Sequence, residues 1–339
     1  MLPRHRDDYR LQGHWIEKRL ADGRLIPCWE PPVPRISDKT LECVFYLYPS
    51  LSSAEKGEDF GGCGFLMLVP FERAKQNHLY AITNRHVIDA GALTLRVATS
   101  DQGLLPIDSD ERRWFRHPDG DDLAMLLVDF PFEFTCTAIN LSETEFVTKE
   151  LIQQHDIGVG EEAFSVGRLV DHDGKQKHTP VVRFGNISQM PAEKIRQDDG
   201  NMQESYLVEG RSVGGYSGSP VFMFIPLWAV RPGKEKVESK QYGPWFLGVN
   251  WGHMLKWHPV CDASGRPLGP HGTKVAQNTG MMAVVPAWKL IEMINHPTME
   301  AERRAREDQL LGKGPPMSVM DIASSDSHID AADLSIRSV

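Results

Sequence analysis

Three short segments carry residue types that together can do nucleophilic chemistry. Residues 214–220 read GGYSGSP, with Ser217 set among glycines and small residues. Such a setting describes either an exposed tight turn or a backbone whose N–H groups must come close to a reacting group. A serine hydroxyl is a poor nucleophile until a base takes its proton. That base is usually a histidine, and a buried carboxylate usually orients it. His86 lies in LYAITNRHVIDA, where an apolar run passes straight into polar residues, the pattern of an imidazole at a strand end beside a cleft. Asp122 lies in GDDLAMLLV, at the head of another apolar run, where a carboxylate can tuck under a sheet and meet a ring nitrogen. The chain has 13 histidines, so His86 stands out by context and not by type.

Strands must position these residues. From residue 40 onward, short apolar or alternating runs are separated by Gly, Asp, Asn and Pro: LECVFYLYP, GFLMLVP, LYAITNRHVI, LTLRVAT, DLAMLLVDF. A second set follows: EAFSVGRLV, TPVVRFGNIS, SYLVEG, SGSPVFMFI, WFLGVNWG, MMAVVP. Two sets of about six strands predict two β-barrels or sandwiches side by side. Residues 228–243 and 255–280 read as long surface loops, the kind that carry function in a β framework. Helical spacing begins only at Pro286, with Ala287, Leu290, Ile291 and Ile294 on one face. The expected organisation is an arm and proline-rich connector over 1–37, a first barrel over 38–135, and a second barrel with a C-terminal helix over 136–297. A charged helix over 298–313 and a disordered tail over 314–339 complete it.

Composition bounds the partners. The net charge of −9, from 37 basic and 46 acidic residues, argues against a general nucleic-acid binder. The N-terminal residues hold no apolar signal core, and no stretch is long enough for a membrane span. A cytoplasmic location and no membrane partner are therefore expected. The five cysteines are scattered, with no CxxC pair, which fits reduced, mostly buried thiols. There is no HExxH, no paired CxxC and no phosphate-binding glycine loop, so neither a metal nor a cofactor is expected.

Four segments, in chain order, resemble the trypsin-like (chymotrypsin-fold) serine proteases of bacterial type. GCGFLMLV (62–69) resembles the strand before the histidine, and ITNRHVI (82–88) the histidine segment. DLAMLLV (122–128) resembles the aspartate segment, and GGYSGSP the serine turn. A fifth, LGVNWGHM, is similar to the strand that pairs with substrate, with Asn250, Trp251 and Gly252 in the matching places. The resemblance covers about residues 40–297 and implies an all-β fold of two six-stranded antiparallel barrels with a C-terminal helix.

It also implies roles. Ser217 would attack a peptide carbonyl, His86 would move the proton, and Asp122 would hold His86. The N–H groups of Gly215 and Ser217 would form the oxyanion hole. Arg211, six residues before the serine, would lie at the base of the pocket that reads the residue before the cut, where it would favour an acidic side chain or hold a partner carboxylate; the alternative is that loop lengths differ and Arg211 faces solvent. The chain departs from the animal digestive members at Tyr216, where they carry an aspartate that pairs with a newly cut amino terminus. The expected activity is a serine endopeptidase acting on a specific protein partner, restrained by its loops or arm or by an activating or inhibiting protein. The alternative is a catalytically silent module of the same fold that binds or scaffolds.

Overall fold

The computed structural model describes residues 14–19, 25–30, 36–70, 73, 77–99, 103–128, 136–168, 178–197, 200–210, 214–225, 244–268, 273–312 and 337–338. The chain forms two units, 1–37 and 38–339. In the first, β1 (His14–Arg19) and β2 (Leu25–Glu30) make an antiparallel hairpin, so the expected arm contains regular backbone pairing. Its proline-rich connector lies outside the described residues.

The second unit opens with α1 (Asp38–Glu42), β3 (Val44–Tyr48), α2 (Leu51–Lys56), β4 (Gly62–Pro70), β5 (Asn77–Thr83) and α3 (Arg85–Asp89). β6 (Thr94–Ala98), β7 (Leu104–Ile107), β8 (Phe115–Arg116), β9 (Ala124–Leu127) and β10 (Thr137–Asn140) follow. These strands share one sheet, whose path runs β7–β6–β3–β4–β5–β9–β8, with β10 joining β4 in parallel. Phe45 and Leu47, Leu66 and Leu68, and Leu79 and Ala81 build one core, as the two-residue period of strands requires. The alternate residues are buried as well: Phe65 meets Phe246 of the second half, with ring centroids 5.4 Å apart. Cover on both faces explains why β4 reads as an almost unbroken apolar run.

The second half contains α4 (Lys149–His155), β11 (Glu162–Gly167), β12 (Val181–Gln189), β13 (Lys194–Arg196), β14 (Met202–Glu204) and β15 (Tyr206–Glu209). β16 (Pro220–Phe224), β17 (Trp245–Pro259) and β18 (Lys274–Pro286) complete its strands. β11, β12, β15, β18, β17 and β16 close into a barrel around Ile187, Tyr206, Val208, Val221, Leu247 and Val284. The expected six-stranded barrel is thus present in this half. The first half differs, because its path stays open between β7 and β8. The acidic segment after β7 turns through a short 3₁₀ helix, Glu111–Arg113, and β8 is only two residues long. Too little extended backbone remains there to close a ladder.

The stretch 255–280, expected as a surface loop, is largely a two-stranded ribbon in which Leu255–Pro259 faces Lys274–Asn278. Leu255, Trp257 and Val275 are exposed on it, so no buried face imposed an alternating pattern on the sequence. The other predicted loop, 228–243, lies outside the described residues. The C-terminal helix is α5 (Ala287–Ile294), entered through Pro286 and burying Trp288, Leu290, Met293 and Ile294. α6 (Pro297–Leu310) follows with Pro297 in its first turn. Arg303 of α6 donates to the Ile294 carbonyl at 2.7 Å and to Tyr80 Oη of β5 at 3.4 Å, which docks α6 on the first sheet. The expected disordered tail lies outside the described residues except for β19 (Arg337–Ser338), which pairs with β10. Among the described residues no helix is long and apolar enough to cross a membrane.

Candidate active site

β5 ends at Thr83, and α3 starts two residues later, placing His86 in its first turn. The His86 side chain is 48 % exposed, whereas that of Asp122 is 2 % exposed. Asp122 grips His86 at two points. The His86 backbone N–H donates to Asp122 Oδ1 at 2.9 Å, and Nδ1 lies 2.6 Å from Oδ2. An ionised carboxylate only accepts. Nδ1 therefore carries a proton, which leaves Nε2 as the acceptor of the neutral ring. Asp122 is itself anchored through its peptide groups: its C=O accepts from Asn84 Nδ2 and its N–H donates to Gln203 Oε1, both at 2.8 Å.

Ser217 is tied to the same wall. Cys63 N–H, on β4, donates to the Ser217 carbonyl at 2.8 Å, and Thr83 Oγ1 donates to the Cys63 carbonyl at 2.6 Å. This chain of bonds joins the serine turn of the second half to the strand end that presents His86. Gly218 explains the sequence at this point. Its φ is +86°, and a Cβ there would lie 1.9 Å from the Cys63 carbonyl oxygen and 2.5 Å from Thr83 Oγ1. Only glycine fits. The Ser217 hydroxyl donates to the carbonyl of Trp251 at 3.3 Å and not to His86. His86 and Asp122 are in direct contact, then, while Ser217 shares their wall without bonding to the imidazole.

Gly215 has φ +90°, and its carbonyl accepts from the Cys63 thiol at 3.3 Å. Burial pushes that thiol up to about 11, although Ser219 and Arg168 pull the other way. Among the described residues the N–H groups of Gly215 and Ser217 have no acceptor. Tyr216 is buried between them, with its hydroxyl 3.4 Å from the Val181 carbonyl and Arg183 stacked 4.9 Å over its ring. Burial raises the Tyr216 hydroxyl above its usual range, and Arg183 offsets part of the rise. An aromatic packed on a cation occupies this position, so no carboxylate is available there to receive an amino terminus.

The Asn250–Gly252 segment lies beside the serine turn. Gly218 N–H donates to the Asn250 carbonyl at 2.8 Å, and Asn250 N–H to the Ser219 carbonyl at 2.9 Å. The ladder to β18 slips between Asn250 and Gly252, so Trp251 is a bulge residue. Its indole donates to Ser205 Oγ at 2.8 Å. Arg211 lies outside the described residues.

Sequence reasoning missed the residues behind Asp122. Gln203 Nε2 donates to Asp121 Oδ1 at 2.8 Å, and Lys289 Nζ of α5 lies 3.2 Å from Asp121 Oδ2. His117 Nδ1 is 3.4 Å from Asp121 Oδ2, and His117 Nε2 is 3.5 Å from Glu292 Oε2. His117, Asp121 and Glu292 are one trio of possible metal ligands among the described residues. The Lys289 ammonium, also 3.0 Å from Glu292, already supplies the positive charge there. No local motif marks this cluster, because its members come from three separate segments.

No protein-family model and no curated protein sequence matches the chain. Among solved structures it is similar to the MamO protease domain from Magnetospirillum magneticum, with 13 % identity over 76 % of this chain and 99 % of that one, at a TM-score of 0.45. It is also similar to Deg5, with 16 % identity over 63 % and 81 % of the two chains and a TM-score of 0.38. The HtrA-type protease AlgW bound to a decapeptide shares 17 % identity over 77 % and 62 %, at a TM-score of 0.40.

Proposed function

We propose that this chain is a trypsin-like serine endopeptidase with His86, Asp122 and Ser217 as its triad. The observation that carries this reading is the two-point grip of buried Asp122 on His86, on the wall that also anchors the Ser217 turn. In the proposed reaction Ser217 Oγ swings from the Trp251 carbonyl to His86 Nε2. It gives its proton to that nitrogen as it attacks a peptide carbonyl carbon. Asp122 remains ionised, keeps the proton of His86 on Nδ1 and stabilises the imidazolium. The N–H groups of Gly215 and Ser217 receive the oxyanion, where loss of one donor lowers kcat roughly 10²–10³-fold. His86 then hands its proton to the leaving amine. A water molecule deprotonated by His86 releases the acyl group and regenerates Ser217.

The substrate would be an extended segment of a partner protein lying along β17 past the end of β16, against Trp251 and Gly252, with Asn250, whose own N–H and C=O are bonded to Ser219 and Gly218, holding that segment in place. Arg211 would favour an acidic residue before the cut. A scan of peptides with Asp, Glu, Lys, Leu or Phe at that place tests this, and equal rates would remove Arg211 from the account. A reducing, cytoplasmic setting fits the three buried thiols Cys43, Cys63 and Cys136.

One observation favours a second reading. The Ser217 hydroxyl is engaged by Trp251 and not by His86, as it would be in a module that binds without cutting. Fluorophosphonate labelling separates the two. Labelling of the wild type, absent in Ser217→Ala and strongly reduced in His86→Ala, is expected for the peptidase. An unlabelled, well-folded wild type would overturn it in favour of the binding module.

A further inference from the structure

The loop that bears Asp122 is held from the opposite half of the molecule, and one amide bonds both of its adjacent residues, 121 and 122. Gln203 sits on β14, is 1 % exposed, and has both ends of its side chain committed. Its Oε1 accepts from the Asp122 N–H at 2.8 Å and from Gln197 Nε2 at 3.1 Å. Its Nε2 donates to Asp121 Oδ1 at 2.8 Å and to the Glu204 carbonyl at 3.0 Å. Asp121 is pinned in turn by Lys289 of α5. The Asp122 peptide is thus clasped on one side by Asn84, from the His86 segment, and on the other by Gln203.

We infer that Gln203 is a positioning residue for Asp122 and, through it, for His86. This rests on the peptidase reading for its consequence but not for its geometry. The amide is the side chain this place needs: it accepts from one neighbour and donates to the next, which neither a carboxylate nor a hydrocarbon can do. Both bonds run to adjacent residues, 121 and 122, so Gln203 fixes the direction of the peptide between them as well as its position. The orientation of the Asp122 carboxylate follows from that peptide. The second half then contributes more than the serine turn; it also sets the angle at which the first half presents its imidazole.

The test reads the His86–Asp122 pair directly. The short Nδ1–H···Oδ2 bond gives a low-field proton resonance in NMR, assignable by its loss in His86→Ala. Gln203→Met, similar in length but unable to accept or donate, is expected to shift or broaden that resonance. It is also expected to lower the maximal rate of fluorophosphonate inactivation by about 10²-fold, the scale of a roughly 1 Å misplacement, with little change in the concentration for half-maximal rate. If Gln203→Met fails to fold, Gln203→Glu decides. It keeps the acceptor for Asp122 but turns an oxygen toward Asp121, so the resonance must still move. A folded variant with the resonance and the rate unchanged overturns the proposal. A wild type that never labels, but whose resonance moves in the variant, overturns the peptidase reading and leaves the clasp standing.

Discussion

The two sides of the candidate site are built to opposite rules. On one side Asp122 has each of its own polar groups committed: both carboxylate oxygens to His86, the C=O to Asn84, the N–H to Gln203. On the Ser217 side the N–H groups of Gly215 and Ser217 have no acceptor among the described residues, and the hydroxyl rests on a neighbouring carbonyl. A saturated buried network is rigid without help from a ligand. Unused donors in a turn are completed only when an acceptor arrives. On the peptidase reading the difference teaches that acid–base alignment is stored in the fold, whereas engagement of the nucleophile is left to substrate or partner.

The largest effect that sharpens this contrast comes from two glycines four residues apart. Gly218→Ala puts a Cβ into the Cys63 carbonyl at φ +86°. It is expected to cost about 3–5 kcal/mol, from backbone strain and overpacking together, and to abolish labelling of Ser217. Gly214→Ala meets nothing within 4 Å and should stay within about 0.5 kcal/mol of wild type. Urea unfolding of both checks this. Equal midpoints would mean the Ser217 turn is as loose as a free loop and is not fixed by the wall at Cys63.

Those glycines were legible in the sequence, and so were His86 and Asp122, because each sits at the junction of an apolar run and a turn. The second barrel was legible for the same reason, since its strands alternate over a core. The open first sheet was not, because its failure to close depends on a pairing that β7 and β8 do not make. The ribbon at 255–280 was hidden by exposure of both its faces. Gln203 and Lys289 gave no signal at all. Gln203 is 81 residues from its partner Asp122, and a lone glutamine in NMQESY looks like any surface polar residue until the fold buries it.

A second, comparable effect tests whether the committed side is rigid because it is charge-balanced. Asp121 is 6 % exposed and Lys289 15 % exposed at the side chain. Burial alone would lower Lys289, but its bonds to Glu292 and Asp121 prevail and raise it. Lys289→Met leaves Asp121 buried beside a His117 that burial keeps neutral, and should cost about 3–5 kcal/mol. Adding Asp121→Asn should recover most of that loss. A single variant as stable as wild type would show that the anchor behind Gln203 is solvated and weak.

The smallest effect concerns β5, the strand that leads into the turn bearing His86, because it holds a histidine in the opposite environment. His78 is 1 % exposed. Burial first, then Arg306 and Arg303, push its imidazole down to about 3, even though Glu307 lies 3.7 Å away. The sign of the consequence is fixed by proton counts. Below about pH 6.5 the unfolded imidazole is protonated, while the folded one stays neutral until about 3. The unfolded chain binds the extra proton, so stability falls as pH drops through that window, by up to about 1.4 kcal/mol per pH unit for this group. Urea midpoints at pH 7, 6, 5 and 4 should decline in the wild type and decline less steeply in His78→Gln. Parallel declines would assign the acid lability elsewhere. Any loss of labelling on acidification that persists in His78→Gln is then separate from loosening of the strand that leads into the His86 turn.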